Sequence, residues 1–214
     1  MRLRYQIGLA ATMKTMHIDD VLDRAHVVSL PLAVRFRGIT TREALLIDGP
    51  AGWGEFAPFL EYGQAESAAW LRAGLEAAYE GFPEPVRDSI EVNATIPAVP
   101  ASEVPAVVER YPGCRTFKIK VAEKGHTLAD DAARVRAVRD AVTQRGEIPI
   151  LRVDANGGWS VDEAVEAAQM MMPLDYMEQP CATTEELAQV RGRLMRAGLF
   201  VRVAADESIR KVAD

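Results

Sequence analysis

Beyond Pro85 the sequence alternates short apolar runs with helical patterns, and this alternation restricts the possible folds more than any other feature of the chain. The candidate strands are "IEVNATIPAV", "TFKIKV", "PILRVDAN", "DYMEQP" and "LFVRVAADES". Between them, apolar residues recur at helical spacing, as at Leu128, Ala132, Val135, Val138 and Val142. Ser160 with Glu163, and Thr183 with Glu186, have the spacing of capping boxes, in which each side chain satisfies a backbone N–H of the other at a helix start. Strands separated by helices run side by side in one direction, so the segment predicts a parallel sheet, open or closed into a barrel.

Such sheets bring the C-terminal ends of their strands to one face, where folds of this kind carry their sites. Three runs close on an acid: "ILRVDAN" on Asp154, "DYMEQP" on Glu178 and "VRVAADES" on Asp206. A single strand-end acid is often a cap for the next helix. Three converging carboxylates, however, stay ionised together only around a cation. None of His17, His26 and His126 falls at a strand end, which argues against a zinc or iron site built on imidazole. An all-oxygen site suits a hard ion, Mg²⁺ first and Mn²⁺ second.

The strand before these acids, "FKIK", places Lys118 and Lys120 on one face and Phe117, Ile119 and Val121 on the other, because side chains alternate along a strand. Two ammonium groups side by side are costly to desolvate without an anion nearby. A solvated edge strand with a lysine face is the alternative reading of this stretch. Asn156 and Gln179, just past two of the acids, and Arg152, which shares the parity of Asp154, are candidates to orient or compensate the site from behind; polar loop or core roles suit them equally.

The residues before Pro85 have a different pattern. "AHVVSLPLAVRF" and "REALLIDG" read as extended segments of an antiparallel meander, followed by a loop, "PAGWGEFAPF". "QAESAAWLRAGLEAAYEGF" reads as an amphipathic helix with Ala65, Ala69, Leu71, Leu75 and Tyr79 on its apolar face. Pro58 follows "GWGEFA" too closely for a dinucleotide-binding loop. The expected organisation is an upstream extension over residues 1–15, an α+β domain over 16–89 and a βα segment over 90–214. A net charge of −6 without basic clusters argues against nucleic acid as a partner. No apolar run reaches the roughly 20 residues of a membrane helix. Cys114 and Cys181 form no CxxC and no disulfide framework, which points to a reducing cytoplasm.

The strings "FKIK", "VDANGGW", "YMEQP" and "ADES" together resemble the enolase superfamily, in its muconate cycloisomerase-like branch. Within that branch, "PLAVRFRGITTREALLIDGPAGWGEFAPF" and "VNATIPAV" look like the o-succinylbenzoate synthases of actinobacterial type. The resemblance implies an N-terminal α+β capping domain followed by an enolase-type (β/α)7β barrel. It makes Asp154, Glu178 and Asp206 the Mg²⁺ ligands and Lys120 the base, with Lys118 beside it; a lysine base and Mg²⁺ are known features of that superfamily. The implied substrate is a small-molecule carboxylate. The implied reaction is a dehydration begun by loss of the proton α to that carboxylate, on the route to menaquinone. N-acylamino acid racemisation or dipeptide epimerisation is the neighbouring alternative, and a non-catalytic truncated chain is another. The resemblance also makes "AGWGEFAPF" a substrate-facing loop, with Trp53, Gly54, Glu55 and Phe56 as its candidates; Trp53 suits interdomain packing as well. A closed βα barrel needs at least ~200 residues, and the segment from residue 90 offers five of eight strands. The second lysine that ends the family's sixth barrel strand has no counterpart, Lys211 lying too close after Asp206. The chain is therefore expected to be the front part of a longer enzyme.

Overall fold

The computed structural model describes residues 17–36 and 39–210; the expected N-terminal extension and Lys211 lie outside them. The chain divides into two compact units, the first ending at Asp88 and the second beginning at Ser89.

The first unit contains a short helix α1 (Ile18–Leu22), strands β1 (Ala25–Phe36), β2 (Ile39–Gly49) and β3 (Gly52–Phe56), and helix α2 (Gln64–Tyr79). The strands form an antiparallel sheet in the order β1-β2-β3. The segment "GWGEF" is thus a strand and not a loop. Its register, with Leu46 opposite Glu55 and Ile47 opposite Gly54, follows from the tight reversal at Pro50–Ala51 that returns the chain along β2. Ile47 is fully buried, and with Val21 and Ala78 it forms a small core flanked by Leu45, Leu71, Leu75 and Tyr79. The apolar face of α2 differs from expectation, since Ala65 and Ala69 are exposed while Gly74 and Ala78 are buried. Close approach explains the shift. A methyl group on Gly54 would lie 1.9 Å from the carbonyl oxygen of Gly74, and one on Gly49 would lie 2.1 Å from that of Ala78. The helix therefore meets the sheet through residues without bulk.

The second unit holds β4 (Ala94–Ile96), a 3₁₀ turn (Ala101–Glu103), α3 (Val104–Val108), β5 (Thr116–Lys120), α4 (Leu128–Gln144), β6 (Ile150–Asp154), α5 (Val161–Met171), β7 (Tyr176–Glu178), α6 (Thr184–Arg196) and β8 (Arg202–Ala204). Its sheet runs β4-β5-β6-β7-β8, with every neighbouring pair parallel. The first strand is shorter than "IEVNATIPAV" suggests. Its pairing with β5 spans only Ala94–Ile96, with exposed Ile90 and Val92 before it and Pro97, which lacks an N–H, after it. Phe117, Ile119, Val153 and Met177 are fully buried from the sheet, as are Ala132, Val135, Val138 and Val142 of α4, so strand and helix periodicities meet in one core. Both expected capping boxes form, and a third, Thr127 with Asp130, opens α4. No helix among the described residues is long and apolar enough to cross a membrane.

Candidate active site

The sheet register aligns the strand ends. Lys120 is opposite Asp154, Asp154 opposite Glu178, and Glu178 opposite Ala204. One side-chain layer below, Lys118, Arg152, Tyr176 and Arg202 form the next row. Parity alone sends both lysines to the face that carries Asp154 and Glu178.

There the charges meet at hydrogen-bonding distance. Lys118 Nζ lies 3.0 Å from Asp154 Oδ2 and 2.9 Å from Glu178 Oε1, while Lys120 Nζ lies 2.6 Å from the same Asp154 oxygen. Lys120 also donates to Asn156 Oδ1 at 2.7 Å, and the Asn156 N–H donates to the other Asp154 oxygen, Oδ1, at 3.1 Å. Asp154 is 1% exposed. Burial alone would raise its pKa, but the hydrogen bonds and charges of Lys120 and Lys118 hold it below the ordinary carboxylate range. Burial pulls Lys118 down, yet Glu178 and Asp154 more than offset it and raise it above the usual lysine value. Lys118 is therefore held as an ammonium.

Asp206 stands differently from expectation. β8 ends at Ala204, so Asp206 lies two residues past the strand in an exposed loop. Among the described residues, no three acid, histidine or cysteine side chains gather as a ready metal cluster. Two carboxylates converge, and the position between them holds the Lys118 ammonium. Their donor chemistry fits a hard cation, since Asp154 Oδ2 and Glu178 Oε1 already turn toward one positive charge. The loop of Asp206 is tied back by Gln179, a 1% exposed residue. Its Oε1 accepts from the N–H of Asp206 at 2.7 Å, and from the N–H and hydroxyl of Ser208 at 3.3 and 3.1 Å. Its Nε2 donates to the Cys181 carbonyl at 2.9 Å. Gln179 thus links the ends of β7 and β8.

Arg152 serves the layer below. Its guanidinium donates to Asp175 and Asn93, each at 2.9 Å, and lies 4.9 Å from the Tyr176 ring centre. In the first unit, Trp53 and Glu55 are exposed, Gly54 is buried against α2, and Phe56 lines a cleft of about 310 Å³ with Arg42, Pro58 and Phe59. Trp53 has the His26 ring 5.8 Å away.

The turns that leave the strands interlock. Ala122, Asn156 and Gln179 adopt left-handed backbone angles, φ 58°, 46° and 36°. The Gly157 N–H donates to the Gln179 carbonyl at 2.7 Å, and Gly158 forms a bridge with Cys181. A methyl on Gly158 would meet Ala122 Cβ at 2.8 Å, and Gly157 adopts φ 76°, which together account for the glycine pair in "DANGGW". Sequence reasoning missed Asp131 and Arg134, both 1% exposed on α4 beneath the end of β5. The available signal was two opposite charges at i, i+3 within the apolar stripe of Ala132, Val135 and Val138.

A small α+β unit followed along the chain by a five-stranded parallel βα sheet, with acids and lysines at the strand ends, is the architecture of a partial enolase-type barrel. Residues 27–78 match the family described as enolase N-terminal domain-like, and residues 101–214 match the one described as enolase C-terminal domain-like. The second match covers more than half of the chain, which belongs to the enolase superfamily. The chain is 59% identical over 200 residues to the o-succinylbenzoate synthase of Mycolicibacterium smegmatis, covering 92% of this chain and 59% of the relative. It is 58% identical over 200 residues to that of Mycobacterium leprae, covering 92% of this chain and 57% of the relative. The chain therefore spans less than two thirds of the length of these curated relatives. The L-Ala-D/L-Glu epimerase from Bacillus subtilis, solved as a substrate-liganded complex, shares 25% identity with a TM-score of 0.63, over 86% of this chain and 67% of that one. An o-succinylbenzoate synthase from Thermosynechococcus elongatus BP-1, solved with Mg in its active site, shares the fold at 20% identity and a TM-score of 0.56, over 86% of this chain and 68% of that one.

Proposed function

We propose that these strand ends serve a Mg²⁺-dependent carbon–oxygen lyase that removes the proton α to a carboxylate and expels hydroxyl, giving o-succinylbenzoate on the route to menaquinone. The observation that carries this reading is the pairing of Lys118 and Lys120 with one buried carboxylate, Asp154, beside Glu178 on the C-terminal face of a parallel sheet. The identity of 59% to a synthase of that name supports the choice of reaction.

Asp154, Glu178 and Asp206 would hold the ion. When bound, Mg²⁺ supplies positive charge against the second negative charge that a carboxylate acquires on losing its α proton. To act as a base Lys120 must first give up the proton with which it pairs to Asp154; its Nζ then takes the substrate's proton as the C–H bond breaks, leaving the electron pair on the substrate as an enediolate. The resulting ammonium returns the proton to the departing hydroxyl as the C–O bond breaks, so that water leaves and Lys120 is neutral again. A lysine has the reach for both transfers if they occur on one face of the substrate. Lys118 keeps its charge and adds fixed positive potential beside the developing anion. Asn156 restrains the Lys120 amine, and Gln179 holds the turn that carries Asp206.

The test uses the protein at the length of its relatives with Mg²⁺, assayed for conversion of the cyclohexadiene carboxylate to o-succinylbenzoate and for racemisation of an N-acylamino acid. Dehydration should dominate, and Lys120→Ala should abolish it while metal binding survives. Near-normal turnover in Lys120→Ala would remove Lys120 as the base. Racemisation without dehydration would replace the proposed substrate.

A further inference from the structure

We propose that Arg134, on α4, is a positioning residue for Lys120 that acts through the main chain; this rests on the reading of Lys120 as the base. Arg134 is 1% exposed, and its guanidinium contacts three chain segments besides its own helix. Nε donates to the Val99 carbonyl at 2.6 Å, in the connection that follows β4. NH1 donates to the carbonyl of Lys120 itself at 3.0 Å and to Asp131 Oδ1 at 2.6 Å. NH2 lies 2.8 Å from His126 Nδ1, in the connection between β5 and α4. Asp131, equally buried, uses its other oxygen to accept from the Ala122 N–H at 2.8 Å. On the far side, the Val121 N–H donates to the Asp154 carbonyl at 3.0 Å.

The two peptide groups that leave Lys120 are therefore both gripped: the first at the Lys120 carbonyl by Arg134 and at the Val121 N–H by the Asp154 carbonyl, the second at the Ala122 N–H by Asp131. A lysine side chain has several free torsions, so its amine is placed only as well as its backbone is. A buried ion pair is weak evidence for stability, since apolar residues of similar volume often do as well or better. The location of this pair under the backbone of Lys120 gives it a different use. A guanidinium can serve two carbonyls and a carboxylate at fixed angles, which an ammonium cannot do at the same reach.

The test compares the protein at the length of its relatives, with Mg²⁺, as wild type, as the double variant Arg134→Met with Asp131→Leu, and as Arg134→Lys. Turnover is measured alongside the rate at which an amine reagent modifies Lys120, mapped by peptide mass spectrometry with exposed Lys124 as reference. The expected result is a folded double variant whose kcat falls about 100-fold with KM near wild type, and in which Lys120 is modified several-fold faster while Lys118 is unchanged. Arg134→Lys should move both readouts the same way by less. Wild-type kcat and Lys120 modification in the folded double variant overturn the proposal, as does a loss confined to KM or one without faster modification of Lys120. Failure of both variants to fold would assign the pair to stability and overturn it too. If the wild type has no activity, the functional reading fails on its own, and the modification rates still decide whether Arg134 places Lys120.

Discussion

Replacing Lys118 by methionine removes the charge that Asp154 and Glu178 share and so measures what that charge contributes. Its Nζ lies 3.0 and 2.9 Å from the two carboxylates, whose side chains are 1% and 13% exposed, so neither acid can regain full hydration when the amine is lost. Breaking a buried ion pair from one side costs about 3–5 kcal/mol. Lys120 still pairs with Asp154, which leaves most of the loss on Glu178 and puts the expected value near the low end, about 3 kcal/mol. A bound divalent ion should offset it. At a concentration of 100 Kd a ligand stabilises by about 2.7 kcal/mol, and without a competing ammonium the variant should bind Mg²⁺ more tightly than wild type. Urea unfolding of the protein at the length of its relatives, in chelator and in saturating Mg²⁺, should show a large deficit in the first and a small one in the second. The pH dependence has a definite sign. The lowered Asp154 contributes stability above its ordinary 3.8 that is lost as pH falls below it, and the raised Lys118 contributes stability below its ordinary 10.5 that is lost as pH rises. In Lys118→Met the alkaline loss should disappear and the acid loss should shrink, because Lys120 alone then holds Asp154 down. A deficit under about 1 kcal/mol in chelator, or one that Mg²⁺ leaves unchanged, would falsify the shared-charge argument.

Gln179→Met deletes the anchor of the Asp206 turn and should cost about 2–3 kcal/mol, at roughly 1 kcal/mol for each hydrogen bond lost. It should also weaken Mg²⁺ binding about tenfold, equivalent to ~1.4 kcal/mol; unchanged affinity by calorimetric titration would uncouple Asp206 from the ion. Gly54→Ala puts a methyl 1.9 Å from the Gly74 carbonyl oxygen and should destabilise the first unit by about 3 kcal/mol or more. An unchanged thermal melt would contradict the close packing of α2 on β3. Burial, then Glu186 and Glu163, push the Cys181 thiol up to about 11, so at pH 8 a maleimide should modify the partly exposed Cys114 well before Cys181. Comparable rates would refute that ordering.

The sheet of the second unit could be read from sequence because each strand was marked twice, by an apolar run and by a helix start such as Ser160 or Thr183. Parity then put Lys118, Lys120 and Asp154 on one face without further information. The pattern failed where position depends on partners distant in sequence. Asp206 was read as a strand end because nothing local in "VRVAADES" says that pairing with β7 stops at Ala204, or that Gln179 holds the turn beyond. "GWGEF" looked like a loop because its glycines are loop residues by propensity, whereas Gly54 is there to admit a helix. Arg152 shares the inward parity of Asp154 but is engaged by Asp175 and Asn93, and neither partner could be inferred from spacing. Arg134 drew no attention in the sequence because a charged residue on a helix is usually at the surface.

The left-handed residues at the strand ends bear on how this protein would respond to laboratory evolution. A non-glycine residue in that region sacrifices roughly 1–2 kcal/mol of backbone energy, so a screen for heat resistance would favour glycine at Ala122 but not at Gln179. At Ala122 the exchange gives up only a methyl group. At Gln179 it also removes the amide that joins the ends of β7 and β8, a loss of about 2–3 kcal/mol that outweighs the backbone gain. Libraries selected by temperature alone should therefore accumulate glycine at the first position and keep glutamine at the second.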